Sequence, residues 1–258
     1  MHPTEIPHDP PRKARIVGAI PARYGSERLP GKALADIGGR PLVEHVYRRA
    51  AQAGALTGVV VLTDDRRIAD AVAGFGGAVE MTPGDCASGT DRIAWAVRNW
   101  DVDAVVNIPG DEPLIDPALI DELAQALIDD PALHMVTAAN PLEPTDPAVT
   151  DPNVVKTVLK ANGHALYFSR SPLPYFRNEI PGLQALRHKG IYGYRRDFLE
   201  TFVTWPPSPL EQAESLEQLR ALENGASIRV LTTTDTSPGV DTPEQAEEIE
   251  RILSTSAN

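Results

Sequence analysis

Runs of consecutive apolar residues recur along the chain, separated by stretches in which apolar positions return every three or four residues. The first pattern predicts buried strands and the second amphipathic helices. RIVGAIP (15–21), GVVVLT (58–63), AVEMT (78–82), DAVVNIP (103–109) and HMVTAAN (134–140) are of the first kind. Between them, Leu42, Val43, Val46, Ala50 and Ala53 lie near helical spacing before a stop at Gly54. RRIADAVAGFG (66–76) and TDRIAWAVRNW (90–100) predict two more helices, and another is expected to start near Asp116-Pro117. Strands alternating with helices predict an α/β, Rossmann-like fold, a mainly parallel sheet covered by helices on both faces.

The second half is patterned differently. VVKTVLKA (154–161) and HALYFSR (164–170), joined by Asn162-Gly163, predict a hairpin, and HKGIYGYRR (188–196) a third strand. PLEQAESLEQLRALENG (209–225) predicts one helix with Leu210, Ala213, Leu216, Leu219 and Leu222 on one side and Gly225 as its stop. SIRVLTT (227–233) returns as a strand, and an acidic helix closes the pattern. The expected organisation is a disordered Pro-rich tail over 1–14 and one domain over 15–258. A smaller antiparallel extension at about 141–195 would pack on the parallel core and offer a dimer surface.

Composition narrows the class. Apolar content of 42% and charged content of 23% are ordinary for a soluble globular chain. No run approaches the roughly 18–20 apolar residues that span a bilayer. The first residues lack the apolar core of a signal peptide. The single Cys86 cannot form an internal disulfide, so the expected compartment is the cytoplasm. Net charge is −12, but residues 1–50 carry nine Lys/Arg against five Asp/Glu, and the rest of the chain has a balance of −16. A basic segment of this kind fits a nucleic-acid arm, a targeting peptide or a small-anion site.

Ligands of open α/β sheets bind outside the carboxyl ends of the strands, which directs attention to the loops after Pro21, Thr63 and Pro109. The first reads Pro21-Ala22-Arg23-Tyr24-Gly25-Ser26-Glu27-Arg28-Leu29-Pro30-Gly31-Lys32, three cations and two glycines. Glycine lets backbone N–H groups approach a phosphate, and Arg and Lys supply the opposing charge. The spacing from Gly25 to Gly31-Lys32-Ala33 is one residue too long for a Walker A loop, and Ala33 lacks the hydroxyl that holds Mg²⁺. No G-x-G-x-x-G follows the first strand, which disfavours a nicotinamide cofactor. The plain alternative is a solvated basic loop. Nucleic-acid binding is disfavoured because the cations lie among Gly and Pro with few aromatics.

Asp111-Glu112 follows the DAVVNIP strand, where a carboxylate suits a hard cation bridging to phosphate oxygens, or simply a turn. Asp241, in Gly239-Val240-Asp241-Thr242-Pro243, fits the same role or a helix start. Ser88 or Thr90 reads first as a helix cap, and Asp64 and Asp65 likewise. The histidines show no metal-ligand spacing. His188 stands out beside Arg187, Lys189, Tyr192 and Tyr194, a cluster suited to an anionic substrate or to a charged strand edge. Cys86 has no base nearby in sequence and reads as inert.

Together, IPARYGSERLPGKAL (20–34), TDD (63–65), SGTDR (88–92), NIPGDEP (107–113), DPNVVK (151–156), ALYFSRSPLP (165–174), RHKGIYGYR (187–195), PSPLEQAESLEQLR (207–220) and PGVDTPE (238–244) resemble the 3-deoxy-manno-octulosonate (Kdo) cytidylyltransferases. The first segment alone marks only sugar nucleotidyltransferases in general; those of the second half are specific to this family. The resemblance implies a nucleotidyltransferase that joins CTP and Kdo into CMP-Kdo and pyrophosphate for lipopolysaccharide biosynthesis. It implies a homodimer with Mg²⁺ as cofactor and no nucleic-acid or membrane partner. Arg23, Lys32, Asp111 and Asp241 would then be catalytic, with the two aspartates as metal ligands. Ala22, Arg23, Arg28, Lys32, Ser88 and Arg92 would bind CTP. Arg170, His188, Tyr192, Glu217 and Gln218 would line the sugar site, where a cation is needed for the Kdo carboxylate.

One position departs from the family pattern, which reads V-Q-G-D-E-P with the Gln on the sugar. Here Pro109 takes that place and offers neither an amide side chain nor a backbone N–H. The resemblance therefore implies nucleotidyl transfer directly, and Kdo ahead of a Kdo variant or another acidic sugar, such as a nonulosonate. A nucleotide-binding module without catalysis is the reading from a different class.

Overall fold

In the computed structural model, which describes residues 14–25 and 29–256, the first apolar run forms β1 (Ile16–Pro21). A small hairpin follows, β2 (Asp36–Ile37) and β3 (Arg40–Pro41), turning on Gly38 and Gly39 at φ 60° and 81°. Two successive left-handed residues make the turn that matches strand twist, and glycine takes them without strain. Then come α1 (Leu42–Ala50), β4 (Gly58–Thr63), α2 (Arg66–Gly74), β5 (Val79–Met81), α3 (Gly89–Val97), β6 (Ala104–Asn107) and α4 (Pro117–Asp129). The second half contributes β7 (Met135–Leu142), β8 (Lys156–Leu159), β9 (Ala165–Ser169), β10 (Ala185–Arg195) and α5 (Arg196–Phe202). It ends in α6 (Pro209–Glu214), α7 (Gln218–Glu223), β11 (Ile228–Thr232) and α8 (Pro243–Ser256). Residues 1–13 of the expected tail, and Arg28, lie outside the described residues.

The helices begin where side-chain oxygens take up backbone N–H groups that have no partner within the helix. Asp65 caps α2, Ser88 caps α3 and Asp116 caps α4, the last followed by Pro117, whose fixed φ suits a first helical position. α1 stops at Ala50, ahead of Gly54, because the chain tightens into turns with Gln52 N donating to Arg49 O and Ala53 N to Ala50 O.

The strands run in the order β11-β7-β10-β6-β1-β4-β5. All pairs are parallel except those of β10, which is antiparallel to both β6 and β7. The third strand of the 141–195 stretch is thus embedded in the main sheet. The β8–β9 hairpin hangs from its first residues, Leu186 and Arg187. Because β10 runs against its neighbours, its beginning lies at their carboxyl ends.

One apolar layer packs α1, α2 and α4 on the sheet through Val46, Val72, Leu123 and Leu127. The opposite layer packs α3, α5 and α7 through Ile93, Phe198, Phe202 and Leu219. A third, small cluster joins Ile37 of β2, Leu42 and Ile249 of α8 to Val240, all of them essentially inaccessible.

The helix expected over 209–225 is broken. Ser215 sits at φ 52°, ending α6, and the chain restarts at α7. The leucine spacing runs through the break, so local pattern could not reveal it. Its cause is tertiary: Arg170, at the end of β9, donates from Nε to Glu214 O at 2.7 Å, and its main-chain N–H donates to Glu214 Oε2 at 2.8 Å. Leu210, on the predicted apolar side, is exposed, whereas Leu216 and Leu219 beyond the break are buried.

Candidate active site

The loops after β1, β4, β6, β7 and β11 and the start of β10 meet at the carboxyl edge of the sheet. At its centre the chain leaves β1 between two glycines. A Cβ on Gly110 would stand 3.1 Å from Pro21 O, and one on Gly89 would stand 3.1 Å from Pro21 Cγ. Side chains there would push the Pro109–Asp111 turn or the start of α3 away from β1. Ala22 is buried, its N–H donating to Leu62 O at 2.8 Å. A cavity of about 350 Å³ opens beside it, lined by Ala22, Arg23, Cys86, Ser88, Gly89 and Arg92.

The groups around this cavity differ in availability. Arg23 is exposed and makes no ion pair or hydrogen bond among the described residues. Ser88 heads α3 in a capping box: its Oγ accepts from Asp91 N–H at 3.1 Å, and Asp91 Oδ2 accepts from Ser88 N–H at 3.0 Å. The cap expected from sequence is present, and the residue also borders the cavity. Arg92 is buried and committed to the protein, with Nη2 3.2 Å from Asp64 and Nη1 donating to Thr82 Oγ1 and to Pro83 O. Burial raises the pKa of the Cys86 thiol, which keeps it protonated and unreactive.

Lys32 lies in a single 3₁₀ turn after Gly31, whose φ of 72° closes the loop over the ring of Tyr24. Its Nζ donates to Asp111 Oδ2 at 2.7 Å and to Asp241 Oδ1 at 3.0 Å, partners 79 and 209 residues away. Burial alone would lower the pKa of this ammonium, but the charge and hydrogen bonds of Asp111 and Asp241 outweigh it and hold the pKa above its ordinary value. The meeting of Asp111 and Asp241 follows from the packing behind them: Val240 is fully buried in the α8 cluster, and its N–H donates to Asp111 O at 2.8 Å. Two carboxylates sharing a cation are a donor set suited to a hard divalent ion. Among the described residues no cluster of three or more such ligands exists, so water and phosphate oxygens would complete the shell.

The residues expected at the sugar lie beside this region. Arg170 is occupied by main-chain oxygens, donating to Glu214 O at 2.7 Å and to Pro152 O at 3.1 Å. His188 packs edge-on to Phe168, 5.0 Å between ring centroids, and 5.3 Å from Tyr192. Burial lowers its pKa to about 3, so the imidazole is neutral at neutral pH. The same burial raises the pKa of Tyr192 well above that of an ordinary phenol. Glu217 reaches across to the cavity beside Ala22, accepting from Ser88 Oγ at 3.0 Å and from Thr90 Oγ1 at 2.5 Å. Burial raises its pKa despite those bonds and the nearby Arg220. Gln218 is buried, and its Nε2 has no hydrogen-bond partner among the described residues.

Several charged residues outside the expected site set prove to be buried. Lys156 is wholly inaccessible and donates to Asp151 O, Val154 O and Arg170 O at 2.8, 2.6 and 2.6 Å. Lys189 donates to Asp235 Oδ2 at 2.8 Å and to Ser237 Oγ at 3.0 Å, with Glu112 Oε2 at 3.4 Å. Burial raises the pKa of Glu112 against the pull of Lys189; at Asp235 burial is outweighed by bonds from Lys189 and the Ser237 backbone, so its pKa falls. The sequence placed Lys189 only in the polar cluster around His188, because its acidic partner Asp235 stands 46 residues away.

Comparison with known proteins shows the family. Residues 17–228 match the family model described as cytidylyltransferase. The chain is 51% identical over 244 residues to the 3-deoxy-manno-octulosonate cytidylyltransferase of Geobacter sulfurreducens, covering 91% of this chain and 97% of that one. The enzyme of the same name from Geobacter metallireducens is 49% identical over 250 residues, with 93% and 98% coverage. A solved CMP:2-keto-3-deoxy-manno-octonic acid synthetase complexed with CTP superposes with a TM-score of 0.90 at 44% identity, over 94% of this chain and all of that one.

Proposed function

The chain belongs to the 3-deoxy-manno-octulosonate cytidylyltransferase family, and from that premise we propose how its residues transfer CMP from CTP to the anomeric hydroxyl of Kdo, releasing pyrophosphate. The observation that carries the reading is the convergence of Asp111 and Asp241 on Lys32 beside the open cation Arg23. Phosphoryl transfer asks a protein mainly for positioning and charge neutralisation. Arg23 and Lys32 neutralise the triphosphate. Ser88, with the backbone near Ala22, borders the cytosine, and Arg92 braces that wall from behind through Asp64 and Thr82. When bound by Asp111 and Asp241, Mg²⁺ would supply Lewis acidity toward the sugar hydroxyl and the leaving pyrophosphate.

On the sugar side, His188 acts as a neutral hydrogen-bonding group beside Tyr192. Gln218 offers a buried amide with an unspent donor. Glu217 links the sugar side to the nucleotide cap through Ser88 and Thr90. The cation expected for the sugar carboxylate is Arg170, which would exchange a main-chain acceptor for it. We place the reaction in lipopolysaccharide biosynthesis in the cytoplasm, with the enzyme as a homodimer. No described helix is long and apolar enough to cross a membrane, and the hairpin of β8 and β9 extends from the sheet as a candidate dimer surface.

The second reading, a cytidylyltransferase for another acidic sugar, is favoured by Pro109 alone. Pyrophosphate release with CTP, Mg²⁺ and a panel of 2-keto-3-deoxy sugars separates the two. Turnover with Kdo is expected; silence with Kdo and turnover of another sugar overturns the assignment. CTP binding without turnover of any sugar would instead mark a nucleotide-binding module.

A further inference from the structure

Two lysines bridge the same two loops. The turn after β6 carries Asp111 and Glu112 in succession, and the segment after β11 carries Asp235 and Asp241. Lys32 joins Asp111 to Asp241, and Lys189 joins Glu112 to Asp235. The bridges differ in access. The Lys32 side chain is 18% exposed between carboxylates that are themselves 34% and 30% exposed. Lys189 is 5% exposed, with Asp235 at 8% and Glu112 at 13%.

The strand geometry aims Lys189 at this point. The pairing of β10 with β7 slips between Lys189 and Tyr192, a bulge of the kind that redirects side chains next to active sites. Thr137 of β7 fills it, its Oγ1 2.7 Å from Ile191 O and 3.1 Å from His188 Nε2. Beyond the bulge the ammonium meets a saturated set: Ser237 Oγ also lies 3.0 Å from Glu112 Oε2 and 2.9 Å from Asp235 Oδ2. The Asp235 main chain is held in turn, its carbonyl accepting from Asn140 Nδ2 at 2.7 Å.

We infer that Lys189 is a positioning residue for the transfer reaction: with Asp235 and Glu112 it forms a permanent staple that fixes the spacing of Asp111 and Asp241 while the exposed Lys32 bridge opens for metal and phosphates. A charge pair sealed from solvent loses little to screening and is costly to separate, so it holds the loops when the outer bridge is broken. The inference rests on the reading of Asp111 and Asp241 as metal ligands. Groups that orient metal ligands from behind are typically worth about 10–100-fold in metal affinity.

The test measures Mn²⁺ affinity by electron paramagnetic resonance with CTP present, CTP affinity in EDTA, and thermal unfolding. The proteins compared are the wild type, Asp111→Asn, Lys189→Met, Lys189→Arg and the double variant Lys189→Met/Asp235→Leu. Lys189→Met is expected to weaken Mn²⁺ binding about 10-fold or more while CTP affinity in EDTA stays within about 3-fold, with partial recovery in Lys189→Arg. The double variant removes Lys189 together with the carboxylate 2.8 Å from it and leaves only Glu112, whose pKa burial already raises. It is therefore expected to fold even where the single one does not and to bind Mn²⁺ as weakly. Wild-type Mn²⁺ affinity in a folded Lys189→Met or in the double variant overturns the staple. Wild-type Mn²⁺ affinity in Asp111→Asn overturns the metal reading itself, a different failure.

Discussion

On the proposed function, the nucleotide side and the sugar side of this site treat their cations in opposite ways. Toward the triphosphate, Arg23 is left open and Lys32 bridges two partly exposed carboxylates. Toward the sugar, Arg170 and Lys156 are spent on main-chain oxygens, Lys189 is buried in an ion cluster, and His188 is held neutral. Charge is kept available where a polyanion must be neutralised. Where a monoanion would be recognised, charge mostly shapes the walls, Arg170 alone having a main-chain contact to exchange, and neutral polar groups such as His188, Tyr192 and Gln218 would add selectivity. Desolvated polar groups left unpaired by a wrong ligand discriminate more sharply than a loose positive field does.

This contrast can be broken most decisively at the carboxylates. Asp111→Asn or Asp241→Asn is expected to lower kcat by about 100-fold or more, because charge that develops in the transition state loses its stabilisation. Steady-state pyrophosphate release is the measurement, and near-normal turnover in either variant would refute their role. Next come two arginines that should behave differently. Arg23→Ala is expected to lower kcat/KM for CTP by about 10–100-fold with an unchanged melting temperature, as a single charge-assisted contact would. Arg170→Ala is expected to lower stability by about 1.5–3 kcal/mol, since Glu214 O and Pro152 O lose a charged donor. Equal melting temperatures for the two variants would erase the distinction between open and spent cations.

A smaller effect is expected at Pro109, where Pro109→Gln should change sugar affinity or preference and leave CTP affinity alone. Isothermal titration with each ligand checks it, and an unchanged sugar profile removes this position from the sugar site. The smallest effect concerns protons. His188 titrates near 3 in the folded chain, below the ordinary value of 6.5, so the unfolded state binds the extra proton first. Its contribution to stability is therefore complete above about pH 6.5 and falls as pH drops from there toward 3, by at most about 1.4 kcal/mol per pH unit. Denaturant melts of the wild type and His188→Gln between pH 5 and 7 measure it: the stability difference between them should change with pH below about 6.5 and become constant above about pH 7.

The parallel part of the fold was legible because its information is local. Apolar runs and caps at Asp65, Ser88 and Asp116 need only a few neighbouring residues to be read. The Gly38-Gly39 turn carried an equally local signal, two adjacent glycines that both take positive φ. The break at Ser215 was not legible, because the group that stabilises it belongs to β9. The staple was hidden for the same reason: Lys189 resembles an edge cation until the sheet order places β10 between β6 and β7. The acids at Asp111 and Asp241 could be named by resemblance, yet what brings them together, Val240 locked under α8, is a property of packing alone.

That anchor makes the order of synthesis matter. Lys32 and Asp111 leave the ribosome long before Asp241, whose separation from Lys32 is 209 residues. The second carboxylate arrives only when Val240 and Ile249 close over Ile37 and Leu42. Contacts so distant in sequence form late. If Asp241 is a metal ligand as proposed, the last helix works as a completeness check: a product cut short before it lacks the packing that sets Asp241 beside Lys32.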